Sequence, residues 1–312
     1  MDKEIASLDD SSVYAYGSRR AGRSYFPAWT VALLAGVVLV SSSGGIGYSL
    51  GKKAMLADDD QLIAVDENLV LPPQVVIPVQ WGDRGYQLVE AGVINREQFL
   101  ALYRERGGAD AAGQLLERGD EDALVITPHN APVFLNLLWA FGLANQNEIL
   151  EQGPMQDERY GGAGGFASTG GWTLATGDAM DHYSRHPFVM LTSEQQARVA
   201  RVAMGIYRPC CDNPTHFPDC NHGMAMLGLL ELMAAQNLSE QDMYRYALQV
   251  NAYWFPETYL TIAAYFAKEG VAWEDVDPQE VLGYDFSSAT GYRNVLAQVE
   301  PATGRSGGSC GV

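Results

Sequence analysis

The chain has 312 residues, 47% hydrophobic and 19% charged, with 38 acids against 20 bases and a formal net charge of −18. That composition supports a buried core without staples and argues against global disorder. The acidic excess excludes a general binder of DNA, RNA or anionic lipid, because most of the surface would repel them.

From Ser24 to Gly51 no residue is charged, and the stretch Ala28 to Val40 forms the apolar centre. These 28 residues exceed the about 20 that a helix needs to cross the hydrocarbon core. Tyr25, Trp29 and Tyr48 sit near the two ends, where amphipathic rings favour the interface. A cleaved signal peptide is the alternative, since the strongly apolar part is short. The long polar leader before it and the stop-like Lys52-Lys53 after it point instead to an uncleaved span. The expected order is a cytoplasmic leader over 1–24, a single-pass transmembrane helix over 25–51, and everything beyond outside the cytoplasm. Arg19, Arg20 and Arg23 set that orientation. Residues 1–53 carry six bases and four acids, net +2, and residues 54–312 carry 14 bases and 34 acids, net −20. The implied partner is the membrane, with no nucleic acid and no protein partner indicated.

Residues 52–80 read as an acidic, Pro-containing linker, because Pro72, Pro73 and Pro78 prevent a continuous helix. Beyond it, over 81–300, the pattern is helical. Asp83–Ala91 and Asn95–Arg106 form a predicted pair, the first ended by Gly92 and the second capped by Asn95. Asn130 followed by Pro132 opens an apolar helix through Phe134, Leu137, Leu138 and Phe141. Thr192 with Gln195 is a capping box for a helix to Tyr207. His222 opens another over Gly223 to about Gln236, Ser239 with Asp242 opens one to about Ala252, Pro256 begins one ending at Gly270, and Asp277-Pro278 starts a short one. Runs of alternating β-branched residues are nearly absent. The fold class expected is mainly α: an N-terminal transmembrane helix, then an all-α or α-rich soluble ectodomain with a Gly-rich loop. That loop, Tyr160–Trp172, holds six glycines in thirteen residues. It lacks the lysine and spacing of a phosphate loop, so it reads as a packed loop rather than a ligand cradle.

Seven of the nine cysteines and histidines lie within 41 residues: His182, His186, Cys210, Cys211, His216, Cys220 and His222. Such crowding suits a metal site or a thiol centre. Cys220 and His222, two apart, would point the same way if extended. Cys210 and Cys211 offer adjacent thiols after Pro209. The expected ligands are Cys210, Cys211, Cys220 and His222, completed by His216 or by Cys310 on the Gly/Ser-rich tail 301–312. Thiolate and imidazole favour zinc or copper over magnesium or calcium. The spacing CC-x8-C-x-H matches no zinc-finger or ribbon pattern.

Two other readings stay open. Four cysteines outside the cytoplasm are compatible with two disulfides, in which Cys210 and Cys211 pair with Cys220 and Cys310 in either order, giving a braced structural or partner-binding domain. Alternatively Cys211 or Cys220 is a nucleophile, with His216, His222 or His186 as base and Asp212 or Asp219 orienting it, or the thiols exchange disulfides. Ser168 does not sit in a nucleophile elbow. Met224, Met226 and Met233 interleave with leucines as core residues. His182 and His186, four apart, read as surface polar residues that would share a helix face. His129 stands alone.

The stretches Phe166–Leu174 (FASTGGWTL) and Tyr207–Leu227 (YRPCCDNPTHFPDCNHGMAML), with the terminal GGSCGV, resemble an uncharacterised family of membrane-anchored prokaryotic proteins. The resemblance runs over most of the ectodomain. It implies a membrane location and carries no activity, ligand or catalytic residue.

Overall fold

Two helices that are apolar on almost every face, Ala131–Ala144 and Asn221–Ala235, set the architecture. A helix hydrophobic all round has to be surrounded by protein. The computed structural model describes residues 54–58, 61–105, 108–119 and 122–299. It begins with β1 (Ala54–Asp58), β2 (Gln61–Val65), α1 (Glu67–Val70) and β3 (Val75–Gln80). Then follow α2 (Arg84–Glu90), α3 (Arg96–Arg104), α4 (Ala109–Gln114) and β4 (Ala123–Ile126). The centre is α5 (Ala131–Ala144), α6 (Glu148–Gln152), α7 (Ser193–Met204) and α8 (Asn221–Ala235). The chain continues with α9 (Glu240–Trp254), α10 (Pro256–Lys268), α11 (Pro278–Val281), α12 (Tyr284–Ser287) and α13 (Ala289–Val299). The described residues are thus mainly helical, as their 3.6-residue periodicity predicts. The transmembrane helix expected over 25–51 lies outside them. Among the described residues no helix is long and apolar enough to cross a membrane.

Helix α5 crosses α8 at a pair of glycines. A Cβ on Gly142 would stand 2.3 Å from the Met224 carbonyl oxygen and 2.9 Å from the Gly228 nitrogen, and one on Gly228 would stand 2.5 Å from the Leu138 carbonyl oxygen. The two backbones therefore touch, which only glycine permits. Leu137, Leu138, Phe141, Met224, Leu227 and Leu230 are all buried around the crossing. Helices α7 and α9 cover α8 from outside, and α10 and α13 close the C-terminal flank.

The caps expected from sequence form. Asn95 Oδ1 accepts from Gln98 N, Thr192 and Gln195 make a reciprocal box, and Ser239 Oγ accepts from Asp242 N. Helix α7 ends earlier than Tyr207, at Met204, because the chain turns there into the Cys/His segment.

The expected linker over 52–80 is instead structured where it is described. Strands β1 and β2 pair antiparallel, and β3 pairs antiparallel with β4 from Val75↔Ile126 to Gln80↔Ala123. Ile77 and Val79 are buried, and Trp81 sets its ring edge-on to Phe134 and Phe141. Pro78, correctly read as incompatible with a helix, falls where the register shifts between Ile77 and Gln80, a place in a two-stranded ribbon that tolerates a missing donor. Gln236, past the end of α8, clasps both backbone groups of Gln80.

One carboxyl lies at the heart of the helical layer. Glu231 on α8 is fully buried and accepts from Asn145 Nδ2 at 3.0 Å and from Asn147 Nδ2. Burial pushes this carboxyl well above the usual carboxylate range. The network continues from Asn147 Oδ1 to Ile149 N and Gln196 Nε2, so it ties α8 to α6 and α7.

Closing the α5–α8 contact with one methyl tests this architecture. Gly142→Ala should cost about 3 kcal/mol or more through overpacking, a fall in Tm of roughly 6–12 °C for a domain of this size. Gly165→Ala, where a Cβ meets nothing within 4 Å, should leave the calorimetric Tm close to wild type.

Candidate metal centre

The segment joining α7 to α8 is irregular, and its shape follows from one side chain. Arg208 is 1% exposed. A buried guanidinium must be paired and hydrogen-bonded, because leaving it bare costs several kcal/mol. Its Nε donates to Cys220 Sγ at 3.1 Å, and its Nη1 donates to the Asn213 carbonyl at 2.7 Å. Its Nη2 donates to the Phe217 carbonyl at 3.0 Å and to Asp219 Oδ1 at 2.6 Å. Asn213 Nδ2 holds the other carboxylate oxygen of Asp219 at 2.8 Å. The chain from 213 to 220 is thus wrapped around one cation.

Surrounding elements fix the loop at its rims. Thr215 N donates to the Ile206 carbonyl, Tyr207 N to Leu282, and Ala289 N to Cys211. The Asp212 carboxylate accepts from Thr290 N at 2.7 Å and Thr290 Oγ1 at 2.9 Å at the start of α13. From the Gly-rich loop, Ser168 N donates to the Asp219 carbonyl at 3.2 Å, and the Phe166 and Tyr160 rings pack on Phe217. Trp139 Nε1 on α5 in turn holds the Ser168 carbonyl at 2.6 Å. The Gly-rich loop is a packed buttress of the Cys/His segment, in line with its composition.

This frame brings Cys210, Cys211 and Cys220 together, with all three sulfurs within 4.8 Å of one another. Cys210 Sγ and Cys220 Sγ are 3.4 Å apart, and the three thiols are unbridged. Cys220 is the N-cap of α8, and its sulfur, where a Ser or Asp oxygen more often sits, accepts from Gly223 N at 3.4 Å. Gly223 has a second duty: a Cβ there would stand 2.5 Å from Arg208 Nη2. The pairing of Cys220 with the Gly three residues on therefore leaves room for the guanidinium.

Electrostatics set the thiols apart. Hydrogen bonds from the Cys210 and Cys211 thiols hold Cys220 well below its ordinary value, and the Arg208 guanidinium adds to this against the opposing effect of burial. Hydrogen bonds to Cys211 and Cys220, with burial, push Cys210 up. For Cys211 the contact with Cys210 lowers the value, but the contact with Cys220 and burial together push it up to about 11. Burial works against the charge on Arg208, but the Cys220 sulfur and the Asp219 carboxylate outweigh it and keep the guanidinium charged. Helix α8 adds the positive end of its dipole beside Cys220.

The other expected ligands are placed differently. His222, on the first turn of α8, packs its ring against Phe255 and Trp254 at centroid distances of 4.4 and 5.9 Å. Burial pushes its imidazole down to about 4. Its Nδ1 is buried without a hydrogen-bond partner among the described residues. His222 stands outside the three-sulfur group. The ring of His216 lies in a cleft with Glu148, Ser193, Gln196 and Ala200, away from the sulfurs. Cys310 lies outside the described residues. His182 and His186 do meet, Nδ1 to Nε2 at 3.1 Å, but across a turn rather than a helix face. His182 is buried, with Nε2 3.3 Å from the Thr176 carbonyl, and is no surface residue.

Arg208 carries no role that the sequence alone shows. The signal was present as an arginine beside Pro-Cys-Cys with an acidic residue just before the third cysteine. It becomes legible only once burial is known.

Two outcomes follow. Arg208→Met removes both a hydrogen bond and a positive charge from Cys220, so its thiolate titration should move up and its alkylation rate at neutral pH should fall. Circular dichroism on the same sample checks that the fold is kept. His222 has a folded value of about 4 against an ordinary 6.5, so the unfolded chain takes up a proton there before the folded one does. Stability from this group is therefore complete above pH 6.5 and is lost as pH falls toward 4, about 2 kcal/mol of it by pH 5. Urea unfolding at pH 7 and pH 5 should show that loss in the wild type and less of it in His222→Phe. No family model, no curated protein and no solved structure matches this chain, so the chemistry of the site rests on its own residues.

Proposed function

We propose that this is a membrane-tethered extracytoplasmic protein that binds one soft metal ion, zinc or copper, through Cys210, Cys211 and Cys220. The observation that carries the reading is the convergence of three sulfurs within 4.8 Å. Four ligands at a zinc–sulfur bond of about 2.3 Å place neighbouring sulfurs about 3.8 Å apart, so small side-chain shifts suffice. Three thiolates around a divalent ion leave one net negative charge, and Arg208 and the N-terminus of α8 face it. In that arrangement Arg208 tunes the sulfur basicity and fixes the orientation of Cys220. His222 is the favoured fourth ligand, since its imidazole is neutral and its Nδ1 lacks a partner. A turn of its ring away from Phe255 would be needed. Cys310, or a water, is the alternative.

The location rests on the charge-free stretch 24–51, and the net charge of −20 beyond residue 53 would concentrate cations near the domain. Elemental analysis of the full chain, purified in detergent without added metal, tests the assignment. About one zinc or copper per chain is expected, falling by most of its occupancy in Cys220→Ser and in Cys210→Ser. His222→Phe separates the two candidates for the fourth position, because retained metal there would favour Cys310 or water. A reduced, folded protein that neither retains nor takes up either metal would overturn the reading.

A further inference from the structure

The three sulfurs differ in what surrounds them. Cys220 Sγ accepts from a buried guanidinium N–H at 3.1 Å and from the first-turn amide of α8 at 3.4 Å. Both donors favour negative charge on that sulfur. Cys210 Sγ lies 3.4 Å from it. Cys211 Sγ has two further acceptors in reach, the Asn213 carbonyl at 3.9 Å and Asp219 Oδ1 at 3.8 Å, which the other two sulfurs lack. All three residues are partly exposed.

We infer that Cys220 and Cys210 are a reversible disulfide couple that exchanges with small-molecule disulfides, Cys220 attacking and Cys210 resolving, and that closing it disables the metal centre. In the first step the Cys220 sulfur attacks one sulfur of the small disulfide, forming a mixed disulfide and releasing one thiolate. That thiolate takes the proton of Cys210. The Cys210 sulfur then attacks Cys220 Sγ, the Cys210–Cys220 bond forms, and the second small thiolate leaves. Two electrons pass from the protein to the small disulfide, which ends as one thiol and one thiolate. Bond formation requires the sulfurs to close from 3.4 Å to about 2.05 Å. Cys220 is fixed by Arg208 and the helix end, so the closing shift falls on the Cys210 side chain. The bridge removes two of the three sulfurs from any ion, leaving Cys211 alone.

The exchange stands on the sulfur geometry and the donors at Cys220, whereas the disabling of the centre rests on the metal reading. The test uses the full chain, reduced and stripped of metal, exposed to oxidised glutathione and then acid-quenched, alkylated and mapped by mass. One bridge, Cys210–Cys220, is expected in the wild type and in Cys211→Ser. Cys210→Ser should accumulate a glutathione adduct on Cys220, and Cys220→Ser should react at least about tenfold more slowly. A bridge to Cys211, or a Cys210→Ser chain that stays folded yet forms no adduct at Cys220, would refute the couple. In a second arm, zinc alone is offered to the reduced and the oxidised protein. Uptake by the reduced form only supports the redox control, and equal uptake by both overturns it. No uptake by either, with the bridge still forming, removes the metal reading and leaves the couple intact.

Discussion

A buried guanidinium organises the cysteine segment between α7 and α8. Arg208 is 1% exposed, and its charge persists there only because one carboxylate, two carbonyls and a sulfur meet it. Each partner comes from a different point of the loop between α7 and α8, so satisfying the charge dictates the loop's path. The convergence of Cys210, Cys211 and Cys220 is a consequence of that path. Breaking a buried pair of this kind costs several kcal/mol because the survivor is left uncompensated. The geometry of the three sulfurs is thus set by the protein's own contacts.

The cation in turn depends on the scaffold. Helix α8 supplies Cys220 at its cap and Gly223 at the clearance over Arg208, while its middle touches α5 through Gly228 and Gly142. Its later turns are pinned through Glu231 to Asn145 and Asn147. The short sequence from Cys220 to Glu231 thus carries a cap, a clearance, a backbone contact and a buried hydrogen-bond network. Trp139 and Ser168 connect α5 to Asp219 through the Gly-rich loop, so the site is braced from two sides of the same helical layer. Displacing either helix would move the sulfurs.

Much of this layout was legible from residues alone. Caps at Asn95, Thr192 and Ser239 and the prolines at 132, 256 and 278 marked helix starts, because local hydrogen bonding and fixed φ act without tertiary help. The crowding of cysteines and histidines located the site to within a short segment. What local pattern could not reveal was tertiary in origin. The strands over 54–80 are short, and one contains Pro78, so their pairing with a distant partner left little trace in periodicity. Arg208 looked like any solvated arginine, since nothing local to it announces burial. His216 and His222 shared the cluster in sequence but not in space, because one faces α6 and α7 while the other faces Phe255 and Trp254.

The central claim is that the three sulfurs act together on one ion. X-ray absorption at the metal edge of the zinc-loaded full chain counts them directly. The account predicts three sulfur neighbours at about 2.3 Å with one lighter nitrogen or oxygen ligand, or four sulfurs if Cys310 joins. A shell of nitrogen and oxygen alone would contradict it and place the bound ion elsewhere in the protein.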